Sequence, residues 1–169
     1  MERDYRLLHE AYERVHEAVP EVVDGLSVDD LAWRPDPEAN SIAWLVWHLL
    51  RVEDDHVAGV VGGEQAWLAE GFADRAGLPF APEAHGYGQS AAEVGQVRLD
   101  ASFLADYGRA VAGRTRQAFQ GLTEADLERV VDDSWDPPVT AAVRLVSVVN
   151  DMTAHVGQAQ YVRGLLERR

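Results

Sequence analysis

The chain has 169 residues, 47% of them hydrophobic, which is enough for one continuous core and short of what two domains usually need. Twenty-nine acidic residues against fifteen basic ones give a formal charge of −14, so phosphate backbones and anionic lipid are repelled, and neither nucleic acid nor a membrane surface is expected as a partner. There is no cysteine, hence no disulfide, no thiolate ligand and no cysteine nucleophile, and any thiol chemistry must use a sulfur from another molecule.

The N-terminal stretch MERDYRLLHEAYERVHEAV is charged throughout and lacks an apolar signal core, and no run approaches the ~18 apolar residues of a membrane span; a cytoplasmic location is the expectation. Tyr5, Leu8, Tyr12, Val15 and Val19 recur at three- and four-residue steps, which predicts a first helix from about Asp4 to Val23, ending before Gly25. Ser27 and Asp30 have capping-box spacing, and Pro35 and Pro37 then hold the chain out of regular helix up to Asn40. From Ser41 to about Gly62 a broad apolar side predicts a second helix, closed by Gly62-Gly63.

Residues 63–90 carry glycines, prolines, Trp67 and Phe72. They have too few periodic positions for a long helix and too many aromatics for a solvated linker, so a long, partly packed loop is expected to border a site. Ser90 and Glu93 form a capping box predicted to open a third helix running through Leu122, and Thr123 with Asp126 opens a short one. After Asp136-Pro137-Pro138, the segment VTAAVRLVSVVNDMTAHVGQAQYVRGLLE reads as helix to the end, and sustained strand alternation is absent. The pattern as a whole predicts an all-α four-helix bundle formed by a single domain over residues 1–169.

Facing helices of a bundle can bring side chains together at a metal. Asp151 and His155 lie one turn apart, about 40° around the last helix, with Ser147 on the same line. His48 is the histidine embedded in the apolar pattern of the second helix and points inward if Leu45, Val52 and Gly59 do. Two imidazoles and a carboxylate suit zinc, or another divalent first-row ion such as nickel or iron, with coordination positions left open. The same residue types also occur as hydrogen-bonded core groups or as a plain helix pair. An unpaired buried carboxylate is costly, however, and a cation at Asp151 would relieve that cost.

The other histidines read differently. His9 and His16 share a charged, solvated face, His56 follows an acidic run, and His85 sits among glycines. Glu53 to Asp55 reads as a solvated face, with Asp55 a candidate support for His48 two turns away. Trp44, Trp47 and Trp135 read as packing, while Trp67 and Phe72 are candidates for a pocket wall. Arg144 and Arg163 are the cations nearest the ligand pair in sequence. Each is a candidate for a ligand carboxylate or for a surface ion pair.

The stretch LSVDDLAWRPDPEANSIAWLVWHLLRVEDDH, followed a hundred residues later by NDMTAHVGQAQYVRGLL, resembles the DinB-like superfamily of metal-binding four-helix bundles, in the branch related to mycothiol-dependent enzymes. The resemblance covers nearly the whole chain. It implies a metal held by one histidine of the second helix, matched by His48, and by two ligands four residues apart in the last, matched by Asp151 and His155. Many relatives have histidine where this chain has Asp151, although mycothiol-dependent maleylpyruvate isomerase is similar in having a carboxylate there.

The resemblance further implies a low-molecular-weight thiol cofactor such as mycothiol. Bound at an open position, its sulfur would attack a small electrophile, giving S-transfer or isomerisation. A binding module without turnover and a non-haem iron oxygenase are the alternative readings of the same ligand set. A homodimer is compatible with the sequence.

Overall fold

The computed structural model describes residues 4–169. In chain order the elements are α1 (Asp4–Val23), α2 (Val28–Ala32), α3 (Ile42–Val61), α4 (Ala66–Ala69), α5 (Phe72–Ala76), α6 (Ala91–Val94), α7 (Ala101–Gly121), α8 (Glu124–Glu128), β1 (Val130–Asp132), β2 (Val139–Thr140) and α9 (Ala141–Leu166). The fold is all-α. Helix α3 packs against α7 and α9, and α1 packs against the same two, so the four long helices form a square whose α1–α3 diagonal barely touches.

The sequence explains the position of α3. Sixteen of its twenty residues are buried, which makes it the central helix rather than an amphipathic one at the edge. The Ser41 side chain accepts from the Trp44 backbone at its start, and Gly62, at φ 68°, closes it in the left-handed conformation. Tyr12 of α1 reaches across the core to donate to the Leu145 carbonyl of α9 at 2.9 Å.

Several expectations are corrected. The Ser90–Glu93 capping box forms, but it opens only the single turn of α6. An extended stretch follows that buries Val97 and Leu99, and α7 begins afresh at Ala101, where the Asp100 carboxylate accepts from the Phe103 backbone at 2.8 Å. The connector from 63 to 90 is partly packed as expected, and it carries the short helices α4 and α5 with Trp67 and Phe72 buried. A two-stranded hairpin, β1–β2, precedes α9 where no strand was expected, and Trp135 within it is 66% exposed instead of packed.

Glu53 and Asp54 are buried, not solvated. Asp54 accepts from the backbones of Ala66 and Trp67 and from the Tyr107 hydroxyl, with Arg51 3.7 Å away. Glu53 accepts from Thr115 at 2.6 Å and pairs at 2.8 Å with His16, whose side chain is only 4% exposed. Most of this helix faces the interior, and charges on its buried sides must find partners inside the bundle.

Candidate metal centre

His48 from the middle of α3 meets Asp151 and His155 from α9. Among the described residues these three form a group able to hold a metal ion, each offering a ligand atom within 4.8 Å of the others. The two imidazole rings lie edge to face at 4.7 Å, and His48 Nε2 is 4.0 Å from Asp151 Oδ2.

Hydrogen bonds decide which nitrogens are free. His48 Nδ1 faces the backbone carbonyl of His85, and His155 Nδ1 faces the carbonyl of Asp151 at 2.8 Å. A carbonyl only accepts, so both Nδ1 atoms carry hydrogen, and in the neutral ring each Nε2 keeps its lone pair for a ligand. The His48 ring is held further by Trp44, stacked on it at 4.6 Å with an interplanar angle of 12°, whose indole donates to Gln89 at 2.7 Å. The connector lies close over this face. Gly86 sits at φ 98°, and a Cβ there would stand 2.8 Å from His48 Nδ1 and 3.1 Å from each of Trp44 and Trp47. Arg51, one turn beyond His48, donates to the neighbouring Ala84 carbonyl at 3.1 Å.

The charges suit a cation. Burial, helped by the neighbouring His155, holds His48 below its ordinary range, so it is neutral at pH 7. Burial opposes the charge of Asp151, but the adjacent His155 and His48 outweigh it and hold the carboxyl below its usual value. His155 is raised by that carboxylate, against its own burial.

Asp151 Oδ2 is enclosed and has no hydrogen-bond partner. The 3.4 Å approach of His155 Nδ1 is electrostatic, because that N–H is given to the backbone carbonyl. An ionised, enclosed oxygen beside an imidazole lone pair is the donor set a divalent ion takes. Ligands of one such ion stand roughly 3–3.5 Å apart at bonds of ~2.0–2.2 Å, within reach of small side-chain rotations from the present spacing.

A model of the family described as mycothiol-S-transferase matches residues 7–168. The chain belongs to the mycothiol-S-transferase family. It is therefore of the DinB-like type that the two sequence blocks resemble. A solved structure similar to this family member, a conserved protein from Enterococcus faecalis, shares 29% identity and superposes with a TM-score of 0.91 over 98% of each chain. No curated protein matches. Among the described residues no helix is long and apolar enough to cross a membrane.

The remaining candidates separate into those at the centre and those elsewhere. A cavity of about 180 Å³ lies against the centre and is lined by His48, Asp151, His56, Arg144 and Ser147 among others. Ser147 is thus present, although its hydroxyl donates to the Val143 carbonyl of its own helix. Asp55 does not support His48. Two helical turns are about 10 Å, too far for a carboxylate to reach back, and Asp55 instead lies near His56 and accepts from Gln65. The backbone carbonyl of His85 takes that supporting role.

Trp67 is buried away from the centre, under the Arg51 guanidinium and against Tyr107. Arg163 is elsewhere too, donating to the Glu21 and Asp24 carbonyls at the end of α1. A larger cavity, about 490 Å³, opens between α3, α7 and α8. Its arginines are engaged, Arg114 by Glu70 and the Glu64 carbonyl and Arg129 by the Val60 carbonyl, and among the described residues it has no group of converging ligand atoms. Sequence reasoning missed Trp44, Gln89, the His85 carbonyl and Gly86. Only the two glycines of His85-Gly86-Tyr87-Gly88 hinted that the backbone comes close there.

Proposed function

We propose that the protein is a divalent-metal-dependent S-transferase, with zinc as the ion its donor set favours, held by His48, Asp151 and His155. The observation that carries this reading is the enclosed, unpartnered Oδ2 of Asp151 facing the lone-pair nitrogen of His48. When bound, the ion supplies acidification of a thiol, giving a nucleophilic thiolate at neutral pH.

The chain's own residues do the rest. Trp44 and the His85 carbonyl lock the His48 ring, so Nε2 faces the centre without reorganisation. Asp151 contributes a full negative charge where a third histidine would contribute none, which leaves the sulfur less acidic and more nucleophilic. Val52 and Val148 make an apolar wall of the cavity against which a small electrophile can lie. In the transfer a carbon–sulfur bond forms as the bond to the leaving group breaks. That group departs with the electron pair, and the thiol proton goes to solvent. The family supports mycothiol as the thiol.

Elemental analysis of protein purified without a nickel column tests the site, together with conjugation of chloroacetamide to mycothiol. One equivalent of metal is expected, lost in His48→Ala and His155→Ala and kept in His9→Ala, since His9 lies on the exposed side of α1. Asp151→His is expected to keep the metal. Equal metal content in all variants would sink the site. Metal without any thiol-dependent conjugation would move the assignment to a binding module.

A further inference from the structure

We propose that Arg144 anchors a carboxylate of the electrophile, so that the substrates of the proposed transfer are small carboxylic acids carrying a displaceable group a few atoms from the acid. This rests on the S-transferase reading and adds to it the class of molecule transferred to.

Arg144, Val148 and Asp151 follow one another at steps of four and three on α9, which places them along one face with about 10 Å between the first and the last. All three line the cavity of about 180 Å³, roughly the volume of six water molecules. The cavity therefore runs past an apolar wall of Val148 and Val52 from the metal ligands His48 and Asp151 to a guanidinium. Arg144 is the one permanent cation on that lining, in a chain whose formal charge is −14. His56, on the same lining, is held below its ordinary range by burial first and by the Arg144 charge second, which sets Arg144 as the fixed charge of that end of the cavity.

The guanidinium is already shown to accept a carboxylate. Its Nη2 donates to Asp132 Oδ2 at 2.8 Å, while the other oxygen of Asp132 is taken by the backbone and hydroxyl of Ser134. A guanidinium has five N–H donors, and this one is about a quarter exposed, so a second carboxylate entering from the cavity can share it with Asp132 or displace it. Asp132 thus acts as a resident competitor, and the two residues should respond to substitution in opposite directions.

The test uses the full chain, with and without added zinc, and two pairs of probes. In nuclear magnetic resonance titrations propionate should bind and propionamide should not. Arg144→Gln should weaken propionate at least tenfold, and Asp132→Asn should strengthen it. In metal-loaded protein with mycothiol as the fixed thiol, sulfur displaces chloride from chloroacetate or from chloroacetamide, and the acid-to-amide ratio of kcat/KM should fall about tenfold in Arg144→Gln. Propionate binding that is absent, or unchanged by Arg144→Gln, overturns the proposal while leaving the metal site standing. Propionate binding that follows Arg144 in a chain that conjugates neither chloride keeps the anchor and removes the S-transferase reading. Weakening by Asp132→Asn would also overturn it, because Asp132 would then be support for the anchor and not a competitor.

Discussion

Replacing Gly86 by alanine tests whether the connector sets the His48 nitrogen. The new Cβ would stand 2.8 Å from His48 Nδ1, 3.1 Å from Trp44 Cζ2 and 3.1 Å from Trp47 Cζ3, at a backbone φ of 98°. None of those neighbours is a flexible chain end. All three are rings of residues buried on α3. The left-handed backbone costs an L-residue about 1–2 kcal/mol, and overpacking against rigid rings adds about 1–3 kcal/mol.

The segment can escape part of that cost by lifting, which gives up the bonds from His48 to His85, Arg51 to Ala84 and Trp44 to Gln89, at about 1 kcal/mol each. The two routes cost similar amounts, so a loss of about 2–3 kcal/mol is expected, lowering Tm by roughly 4–12 °C in a chain of this size. Either route disturbs the partner of His48 Nδ1. Loss of such an outer partner typically weakens a metal about 10–100-fold. Gly88→Ala is the matched control, since φ there is 75° but a Cβ would meet nothing within 4 Å. It should lower Tm by the backbone cost alone and leave metal affinity unchanged. Calorimetry and zinc titration against a competing chelator read both quantities. Equal effects of the two substitutions on zinc affinity would refute the proposed role of the connector.

Two further outcomes concern the buried charges of α3. Burial disfavours protonated His16, but the hydrogen bond and charge of Glu53, with the charge of Glu13, outweigh it and raise its pKa, while Arg116 acts in the opposite sense. A group raised on folding contributes stability that is fully present below its unfolded value of about 6.5 and is lost as pH rises through the folded value. The stability difference between the parent chain and His16→Gln in urea should therefore be larger at pH 6 than at pH 9, and a difference independent of pH would reject the ion pair. Asp54→Ala leaves the Arg51 guanidinium without its carboxylate and the Ala66 and Trp67 amides without their acceptor, a loss of about 3–5 kcal/mol by urea denaturation. A loss below about 1 kcal/mol would mean that water or a neighbour replaces it.

The sequence by itself determined that there are four long helices, because 3.6-residue periodicity, the Ser41 cap and the glycines at 25 and 62 are local signals that packing did not override. It also brought His48, Asp151 and His155 together. Asp151 and His155 share a helix face by spacing alone, and His48 was the one histidine on an apolar stretch.

What it misjudged are pairings between elements distant in the chain. His16 looked solvated because its own helix is charged, yet its partner Glu53 comes from α3 thirty-seven residues later. Glu53 and Asp54 looked like an exposed run because nothing local says that α3 is covered at these positions by other elements. The third long helix was begun one short helix too early, since the Ser90 box satisfies the same spacing rule as the Asp100 cap, and only burial of Val97 and Leu99 separates the two. The lock on His48 was out of reach for the same reason. It is made by a backbone carbonyl of the connector and by the missing side chain of Gly86, groups whose chemistry depends on where the chain passes and not on which residue is written there.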